Sequence, residues 1–415
     1  MIKFDRFILD NGLTVLFHKD VTTPMAVVNV LYDVGARDES EDKTGFAHLF
    51  EHLMFGGSVN IPDFDSPLQL AGGENNAFTS NDITNYYDVL PAHNLETALW
   101  LESDRMLSLA FTDKSLEVQR SVVIEEFKQR YLNQPYGDVW LELRPMAYKE
   151  HPYKWATIGK EIAHIEDATM EDVKAFFKKH YSPSNAILCI AGNFELDEVK
   201  RVANKWFGEI PAGTKNQRNL PVESPQTEFR EKTIERKVPA NAFYYAFKMV
   251  DRNHPDYFTT DALSDSLGRD KSSRLYVALK KEQNLVSNIS AYVTGSLDAG
   301  LIVVSGKLND GVTFEELDAA LWIELAEIQS EAMPESELTR IMNKIRTAKE
   351  FQDQGILNRA MNLCSYELLG DADWINKESE LYHNITSEDI RRVAETALAK
   401  TNCSLLKVKA IDNAE

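Results

Sequence analysis

Two histidines and a glutamate near the N-terminus have the spacing of a metal site with a proton acceptor beside it. His48, Glu51 and His52 lie in an apolar stretch that predicts a helix. Side chains four residues apart share one helix face, so both imidazoles can bind one ion, at about 2.0–2.1 Å for zinc. Glu51 would then lie beside the ion, where its carboxylate can accept a proton from water. Catalytic zinc usually has three protein ligands, so the pattern requires one more.

Two adjacent carboxylates further along the chain compete for the role of third ligand. Glu125 and Glu126 lie in a stretch with helical character at residues 115–131. Either carboxylate could approach the histidines if this helix packs beside the first one. The neighbouring apolar residues do not decide between them, so both remain candidates on this ground alone.

The elements that must position these groups follow a recognisable order. Alternating apolar residues predict a strand at residues 28–34, and residues 86–90 also have strand character. Amphipathic helices are predicted at residues 95–108, 115–131 and 170–180. Because strands come first and helices dominate later, we predict an α+β fold rather than an alternating α/β one.

The second half of the chain repeats the pattern of the first. Residues 95–100 resemble residues 317–322, and the helix-opening motif at Thr169 recurs at Thr386. In both halves this helix is followed by an apolar strand. A stretch poor in apolar residues and rich in proline separates the copies. We therefore predict two homologous domains, a catalytic zinc-binding one at residues 1–210 and a non-catalytic one at residues 230–415, joined by a linker at residues 211–229.

Composition excludes some classes of function. The formal net charge is −20, which argues against nucleic-acid binding because that requires a basic face. No apolar run is long enough to span a membrane. The N-terminus does not have the pattern of a secretory signal, so we expect a cytoplasmic protein, although a processed mature chain would look the same. Three widely spaced cysteines indicate neither a disulfide framework nor a cysteine zinc site.

The motif and several further segments resemble the pitrilysin family of metallopeptidases. These are the inverzincins, whose motif runs in the order His-x-x-Glu-His, and the chain is most similar to the branch with two-domain subunits. The resemblance covers essentially the whole chain. Its further landmarks are residues 11–13, 34–36, 73–79, 181–185 and 191–194.

The resemblance implies a complete ligand set. In this family the third ligand is the second glutamate of a Val-Val-Leu-Glu-Glu-like segment, which matches residues 122–126 and assigns the role to Glu126. Glu125 is then expected to be solvated or to lie just behind the ligands. Gln119 stands where many members have another carboxylate, so it is a second supporting candidate without an acid–base role. One Zn²⁺ per chain is expected, with Glu51 as the general base.

The resemblance also implies how peptide is held. Residues 75–79 and 84–87 predict a hairpin whose first strand is, in the family, a sheet edge that pairs with the substrate backbone. An edge strand can bind any extended peptide through main-chain hydrogen bonds. We therefore expect Asn76 and Ala77 to contact the substrate. Each domain is expected to be a mainly antiparallel sheet covered by helices, and the two together one half of a clamshell.

The second half of the sequence has neither the metal-binding residues of the first half nor the arginine and tyrosine that the family uses in its second half. The positions aligned with His48, Glu51 and His52 are occupied by Ala262, Asp265 and Ser266 (alignment of the two copies). Family members also use an arginine and a tyrosine seven residues apart in the second half.

In this chain Lys280 and Ser287 occupy the positions of that pair. Lysine does not provide the planar fork of arginine, and serine is too short to replace a phenol. We therefore expect a heterodimer in which a homologous subunit supplies the Arg/Tyr pair, with a homodimer as the alternative.

The metal-site residues predict a zinc-dependent endopeptidase, and the resemblance to the family implies that it hydrolyses unfolded peptides inside a closed chamber, as the catalytic subunit of a heterodimer. Two alternatives remain. One is a processing peptidase that removes targeting peptides, whose basic substrates would suit the acidic chain. The other is a non-catalytic structural or binding subunit, for which there would be no reason to keep all four metal-site residues.

Overall fold

The computed structural model describes residues 1–411 and divides into two compact units. The first unit comprises Met1–Phe127, Trp155–Leu220 and Lys349–Lys377. The second comprises Lys128–Lys154, Pro221–Ala348 and the chain from Glu378 onward. Each unit is built on one sheet, so the chain has the α+β fold expected from the sequence.

The sheet of the first unit has six strands in the order β1-β2-β6-β3-β5-β4. The β2–β6 pair is parallel and the other neighbours are antiparallel. Strand β4 lies at one edge of this sheet. The strands are β1 (Asp5–Ile8), β2 (Thr14–Lys19), β3 (Met25–Tyr32), β4 (Glu74–Thr79), β5 (Thr84–Pro91) and β6 (Ala186–Gly192).

The sheet of the second unit has five strands in the order β7-β11-β8-β10-β9. Its only parallel pair among the described residues is β7–β11, which corresponds to β2–β6 in the first sheet. Apart from the extra edge strand β1, the two sheets therefore have the same strand order. The strands are β7 (Arg230–Arg236), β8 (Ala242–Lys248), β9 (Val286–Val293), β10 (Leu301–Leu308) and β11 (Cys403–Ala410).

Helices cover both sheets, and several begin where the sequence predicts. The predicted helix at residues 170–180 is present with these bounds, and Thr169 caps it by accepting a hydrogen bond from the Asp172 N–H. The α-helices are α1 (Phe46–Leu53), α2 (Asp65–Leu70), α3 (Leu95–Leu107), α4 (Asp113–Phe127), α5 (Val139–Ala147), α6 (Ala163–Glu166), α7 (Met170–His180), α8 (Leu196–Phe207), α9 (Tyr257–Gly268), α10 (Phe314–Ser330), α11 (Glu335–Gln352), α12 (Ile356–Leu368), α13 (Trp374–His383) and α14 (Ser387–Ala397).

One face of each sheet is covered by a helix that comes from the other half of the sequence. Helix α12 packs on β3 and β6 of the first unit, where Leu363 and Cys364 are fully buried against Cys189. Helix α5 packs on β8 and β11 of the second unit. The compact units are therefore not contiguous in sequence. The contiguous boundaries 1–210, 211–229 and 230–415 stay a prediction about homologous halves, and these two exchanged segments separate them from the compact units.

None of the helices within residues 1–411 combines the length and the apolar character needed to cross a bilayer. The cytoplasmic location stays a prediction. The three cysteines, Cys189, Cys364 and Cys403, are free thiols and are buried, as small apolar residues would be.

Candidate metal centre

Helix α1 carries the His-x-x-Glu-His motif, and a glycine permits its start. Gly45 immediately precedes the helix with a φ of +88°, in the left-handed region that favours glycine. A Cβ at this position would lie 2.7 Å from the carbonyl oxygen of Ile158. Any side chain would therefore force the chain apart where the helix begins.

A buried glutamate outside the motif caps the same helix. The carboxylate of Glu39 accepts hydrogen bonds from the N–H groups of Gly45 (2.9 Å) and Ala47 (2.8 Å). Burial raises the pKa of Glu39 to about 8, although these two N–H groups act in the opposite direction. The carboxyl group thus supplies acceptors for N–H groups that have no partner within the helix. Sequence reasoning missed Glu39 because it lies before the helix on a separate turn.

The remaining residues of α1 anchor it in the first unit. Its apolar face is buried, so the motif residues face outward and stay partly accessible. The Tyr86 hydroxyl of β5 donates to the Phe50 carbonyl at 3.4 Å. Burial of the apolar face of α1 and this contact with β5 therefore fix the orientation of the motif residues.

The structure brings together His48, His52 and Glu126. Helix α4 packs beside α1, and one carboxylate oxygen of Glu126, Oε2, lies 3.7 Å from His48 Nε2 and 3.3 Å from His52 Nε2. The two imidazole rings stand nearly perpendicular, with centroids 4.8 Å apart. Within residues 1–411 no other group of three or more His, Cys, Asp or Glu side chains is arranged to hold a metal ion.

This arrangement fits zinc better than a set of direct hydrogen bonds. Two atoms about 2.0–2.1 Å from one ion at a tetrahedral angle are about 3.3–3.4 Å apart. The Glu126–His52 separation of 3.3 Å matches this value, and the Glu126–His48 separation of 3.7 Å is somewhat longer. An N–H···O hydrogen bond is usually about 2.9–3.0 Å long, shorter than either. The donor set of two imidazoles and one carboxylate also matches a known catalytic zinc type. The residues present therefore fit the metal that the motif predicts.

The two supporting candidates occupy different places on α4. Glu125 is exposed, whereas Glu126 is only 16% exposed in its side chain. Gln119 lies two helical turns before Glu126, and its amide nitrogen comes within 4.0 Å of the position of a Cβ built on Gly56, just after α1. Gln119 thus lies on the side of α4 that faces the end of the motif helix, and its role stays a prediction.

Glu51 makes a contact that the sequence did not reveal. One carboxylate oxygen of Glu51, Oε2, accepts a hydrogen bond of 2.6 Å from the hydroxyl of Thr79, the last residue of β4. The predicted hairpin is present, with β4 paired to β5 across a turn at residues 80–83. No sequence signal marks Thr79, because strand alternation does not tell which helix its side chain meets.

The predicted peptide-binding residues lie on the edge strand. The N–H of Ala77 donates to the side-chain oxygen of Asn76 at 2.8 Å, so it points away from β5 and is not used in the ladder. In an antiparallel pair such outward N–H groups recur at every second residue. An extended peptide could therefore replace the Asn76 oxygen as the acceptor of this N–H.

The corresponding positions of the second unit are built differently. In α9, Asp265 forms an ion pair with Arg269 at 2.7 Å, and Ser266 donates to the Leu263 carbonyl. Lys280 donates to the carbonyl oxygen of Ser287. Ser287 is the extra residue of a bulge in β9, since Val286 pairs with Leu308 and the next residue but one pairs with Lys307.

Family models match both parts of the chain. The model described as "Insulinase (Peptidase family M16)" matches residues 14–160, which contain His48, His52 and Glu126. The model described as "Peptidase M16 inactive domain" matches residues 167–345. The split agrees with the position of the candidate ligands, all of which lie in the first half.

Individual relatives match over most of the chain. The "Zinc protease PqqE" of Helicobacter pylori is 27% identical over 98% of this chain and 93% of its own length. The "Mitochondrial-processing peptidase subunit beta" of Saccharomyces cerevisiae is 27% identical over 71% of this chain and 66% of its own length. The crystal structure of a protease from Helicobacter pylori superposes with a TM-score of 0.92 at 27% identity, covering 99% of this chain and 100% of that one.

Proposed function

Because the chain belongs to the M16, or pitrilysin, family of peptidases, we propose that it is a zinc-dependent endopeptidase. Its substrates are unfolded peptides or oligopeptides, cleaved inside a closed chamber. The observation that carries the proposal is a single carboxylate oxygen of Glu126 at 3.3 and 3.7 Å from two imidazole nitrogens, with Glu51 on the same helix as those imidazoles.

Each residue of the centre has a distinct task. His48, His52 and Glu126 would hold the zinc ion, which when bound would supply Lewis-acid activation of water and of the peptide carbonyl. Glu51 accepts the proton of the attacking water and passes it to the leaving amine. Because His52 is its neighbour in sequence, Glu51 is close to the ligand set without being part of it.

The free edge of β4 binds the peptide main chain. Asn76 and Ala77 lie on this edge. The Ala77 N–H donates to the Asn76 side-chain oxygen, and a carbonyl of the bound peptide would replace that oxygen as the acceptor. Main-chain pairing is insensitive to sequence, so it suits a peptidase that accepts varied peptides but only in extended form. Most strands of folded proteins are already paired within a sheet, so few of them could bind this edge.

Substitution of the proposed base tests the activity directly. Glu51→Gln should retain about one zinc per chain, measured by elemental analysis, and should lose turnover of a fluorogenic peptide. A wild type that binds no zinc, or a Glu51→Gln variant that remains active, would refute the proposal. Stoichiometric zinc without any turnover, in the presence of a homologous subunit, would favour a non-catalytic binding subunit.

We further propose that the active form is a heterodimer. Lys280 and Ser287 stand where the family has its arginine and tyrosine, and the Lys280 ammonium is engaged with the Ser287 carbonyl. A homologous subunit would supply the missing pair. Full turnover by the purified chain alone, with its mass in solution showing a monomer or a homodimer, would contradict this.

A processing peptidase is the second candidate. The likeness to a mitochondrial-processing peptidase β subunit and the net charge of −20 both favour it, since basic targeting peptides would be attracted to an acidic chain. Matched peptide libraries with net charges of both signs distinguish the candidates. A preference for basic peptides that weakens with added salt supports processing, whereas equal rates support a general oligopeptidase.

A further inference from the structure

We propose that Thr79 is a positioning residue for the reaction: its hydroxyl fixes the Glu51 carboxylate relative to the strand that carries the peptide. The inference rests on the proposed function of this centre. It adds a residue outside the ligand set and outside the His-x-x-Glu-His motif. It also predicts a physical link between peptide binding and the proton acceptor.

The contact itself is short and well placed. Thr79 Oγ1 lies 2.6 Å from Glu51 Oε2, and both side chains are partly buried. A hydroxyl that donates to an ionised carboxylate makes a stronger bond than a neutral pair does.

The backbone that carries Thr79 is held at several points. Thr79 pairs with Thr84 across the hairpin, and the buried Thr84 hydroxyl donates to the Val34 carbonyl at 3.0 Å. In the turn, the Ser80 N–H donates to the Ile83 carbonyl at 2.8 Å. The Ser80 carbonyl in turn accepts from the N–H of the residue two positions after Val34, at 3.2 Å. The hydroxyl is thus presented by a fixed element, as accurate positioning requires.

Thr79 belongs to the same edge as the peptide-binding residues. The Ala77 N–H points outward from β4, and alternation gives Thr79 the same orientation two residues later. The backbone of Thr79 would therefore pair with the peptide while its side chain holds Glu51. A peptide bound in register along β4 is by this means placed at a defined distance from the carboxylate.

Loss of this contact should affect turnover more than binding. A displacement of about 1 Å in a reacting group can cost about 100-fold in rate, so Thr79→Val should lower kcat by about 10–100-fold. Valine has nearly the same shape as threonine and keeps the backbone N–H, so binding of the peptide in the ground state should not change. KM should therefore stay within about threefold of the wild-type value. Thr79→Ser restores the hydroxyl and should recover kcat to within about fivefold of the wild type, less than full recovery because serine rotates more freely.

The experiment uses the full chain with its partner subunit where one is required, loaded with zinc and assayed with a fluorogenic peptide. Zinc content and thermal unfolding of each variant are measured alongside. Peptide affinity is measured by anisotropy in the Glu51→Gln background, with and without Thr79→Val. The proposal expects that Thr79→Val changes neither the zinc content nor the peptide affinity of the Glu51→Gln chain. It also expects Thr79→Val to cause no further loss of residual activity once Glu51 is replaced, because the two residues act as a unit.

The outcomes separate this inference from the proposed function. If the wild type turns over and Glu51→Gln does not, but Thr79→Val keeps kcat within about twofold, the positioning role is wrong and the function stands. Equal losses from Thr79→Val and Thr79→Ser, or a loss of zinc in Thr79→Val, would also overturn it in favour of a structural role. A wild type without turnover under any condition refutes the proposed function instead.

Discussion

Removal of one carboxylate and not its neighbour should abolish tight zinc binding. The paired changes are Glu126→Gln and Glu125→Gln, each of which removes one negative charge from the same turn of α4. They differ in position, because the Glu126 carboxylate lies 3.3 Å from His52 Nε2 whereas Glu125 is exposed. The pair therefore separates coordination from net charge.

The expected size of the effect follows from the geometry. At about 2.1 Å from a dication and an effective dielectric constant of about 20, a carboxylate contributes on the order of 16 kcal/mol of Coulomb attraction. Dehydration of the ion and of the carboxylate cancels most of this. Partners that only support a zinc ligand cost about 10–100-fold in affinity when they are changed. Loss of Glu126 as a direct ligand should therefore exceed about 100-fold, or about 2.8 kcal/mol.

Competition against a chromophoric chelator gives the zinc affinity of each variant. Glu125→Gln should stay within about threefold of the wild type, since it is not expected to contact the ion. Equal affinities of the two variants, or a Glu126→Gln chain that still binds zinc as tightly as the wild type, would show that the reasoning is wrong. Thermal unfolding without metal serves as the check that both variants fold.

Three further changes test the surroundings of the centre. Ala77→Pro removes an N–H that β4 does not use in its ladder and should raise KM by about tenfold with little change in stability, since proline is tolerated at strand edges. Glu39→Ala leaves the buried N–H groups of Gly45 and Ala47 without their acceptor and should lower the free energy of unfolding in urea by about 2–4 kcal/mol. Burial lowers the pKa of His180 to about 4, so the folded state favours neutral imidazole. The contribution of His180 to the free energy of unfolding is fully present above about pH 6.5 and is lost as the pH falls towards 4, by about 3 kcal/mol in total. His180→Asn should therefore make the free energy of unfolding less dependent on pH over this range.

Each of these three predictions has a result that would contradict it. Ala77→Gly keeps the N–H, so a rise in KM equal to that of Ala77→Pro would show that the edge does not pair with peptide. For Glu39, a loss below about 0.5 kcal/mol, within the usual range of neutral surface changes, would show that the cap is unimportant. For His180, parallel stability curves of wild type and variant between about pH 7 and pH 4 would show that another group is responsible.

Local patterns predicted the parts of the site that depend on one element. The spacing of His48 and His52 is a property of one helix, and the capping motif at Thr169 fixes the start of α7. The hairpin likewise follows from alternation around a short polar turn. The structure adds that the Glu126 carboxylate, and not that of Glu125, reaches the imidazoles. The residues alone left this open, and only the resemblance to a family assigned it.

Contacts between distant elements could not be read in the same way. Glu39 and Thr79 reach α1 from a turn and from a strand, and nothing in their neighbouring residues identifies the helix they meet. The same holds for α12 and α5, whose apolar faces fit any complementary sheet. Periodicity specifies that a face is buried but not which partner buries it, so the exchange of helices between the two halves of the sequence was missed.

The two units show that strand order alone does not make a metal centre. Helix α9 stands before the edge strand β9 as α1 stands before β4, yet almost every residue of α9 is buried. Ala262 and Ser266, which align with the two histidines, are both 0% exposed, whereas the His52 side chain is 24% exposed. Imidazoles at these positions would have to displace close-packed neighbours, which is costly in a core. The second unit therefore differs from the first in two ways: it has other residues at these positions, and its helix α9 is packed so that no open coordination site is left. A metal site at this place in the fold needs suitable ligands and a partly uncovered helix face. Among residues 1–411 only His48 and His52 of α1, together with Glu126 of α4, form a group that could hold a metal ion.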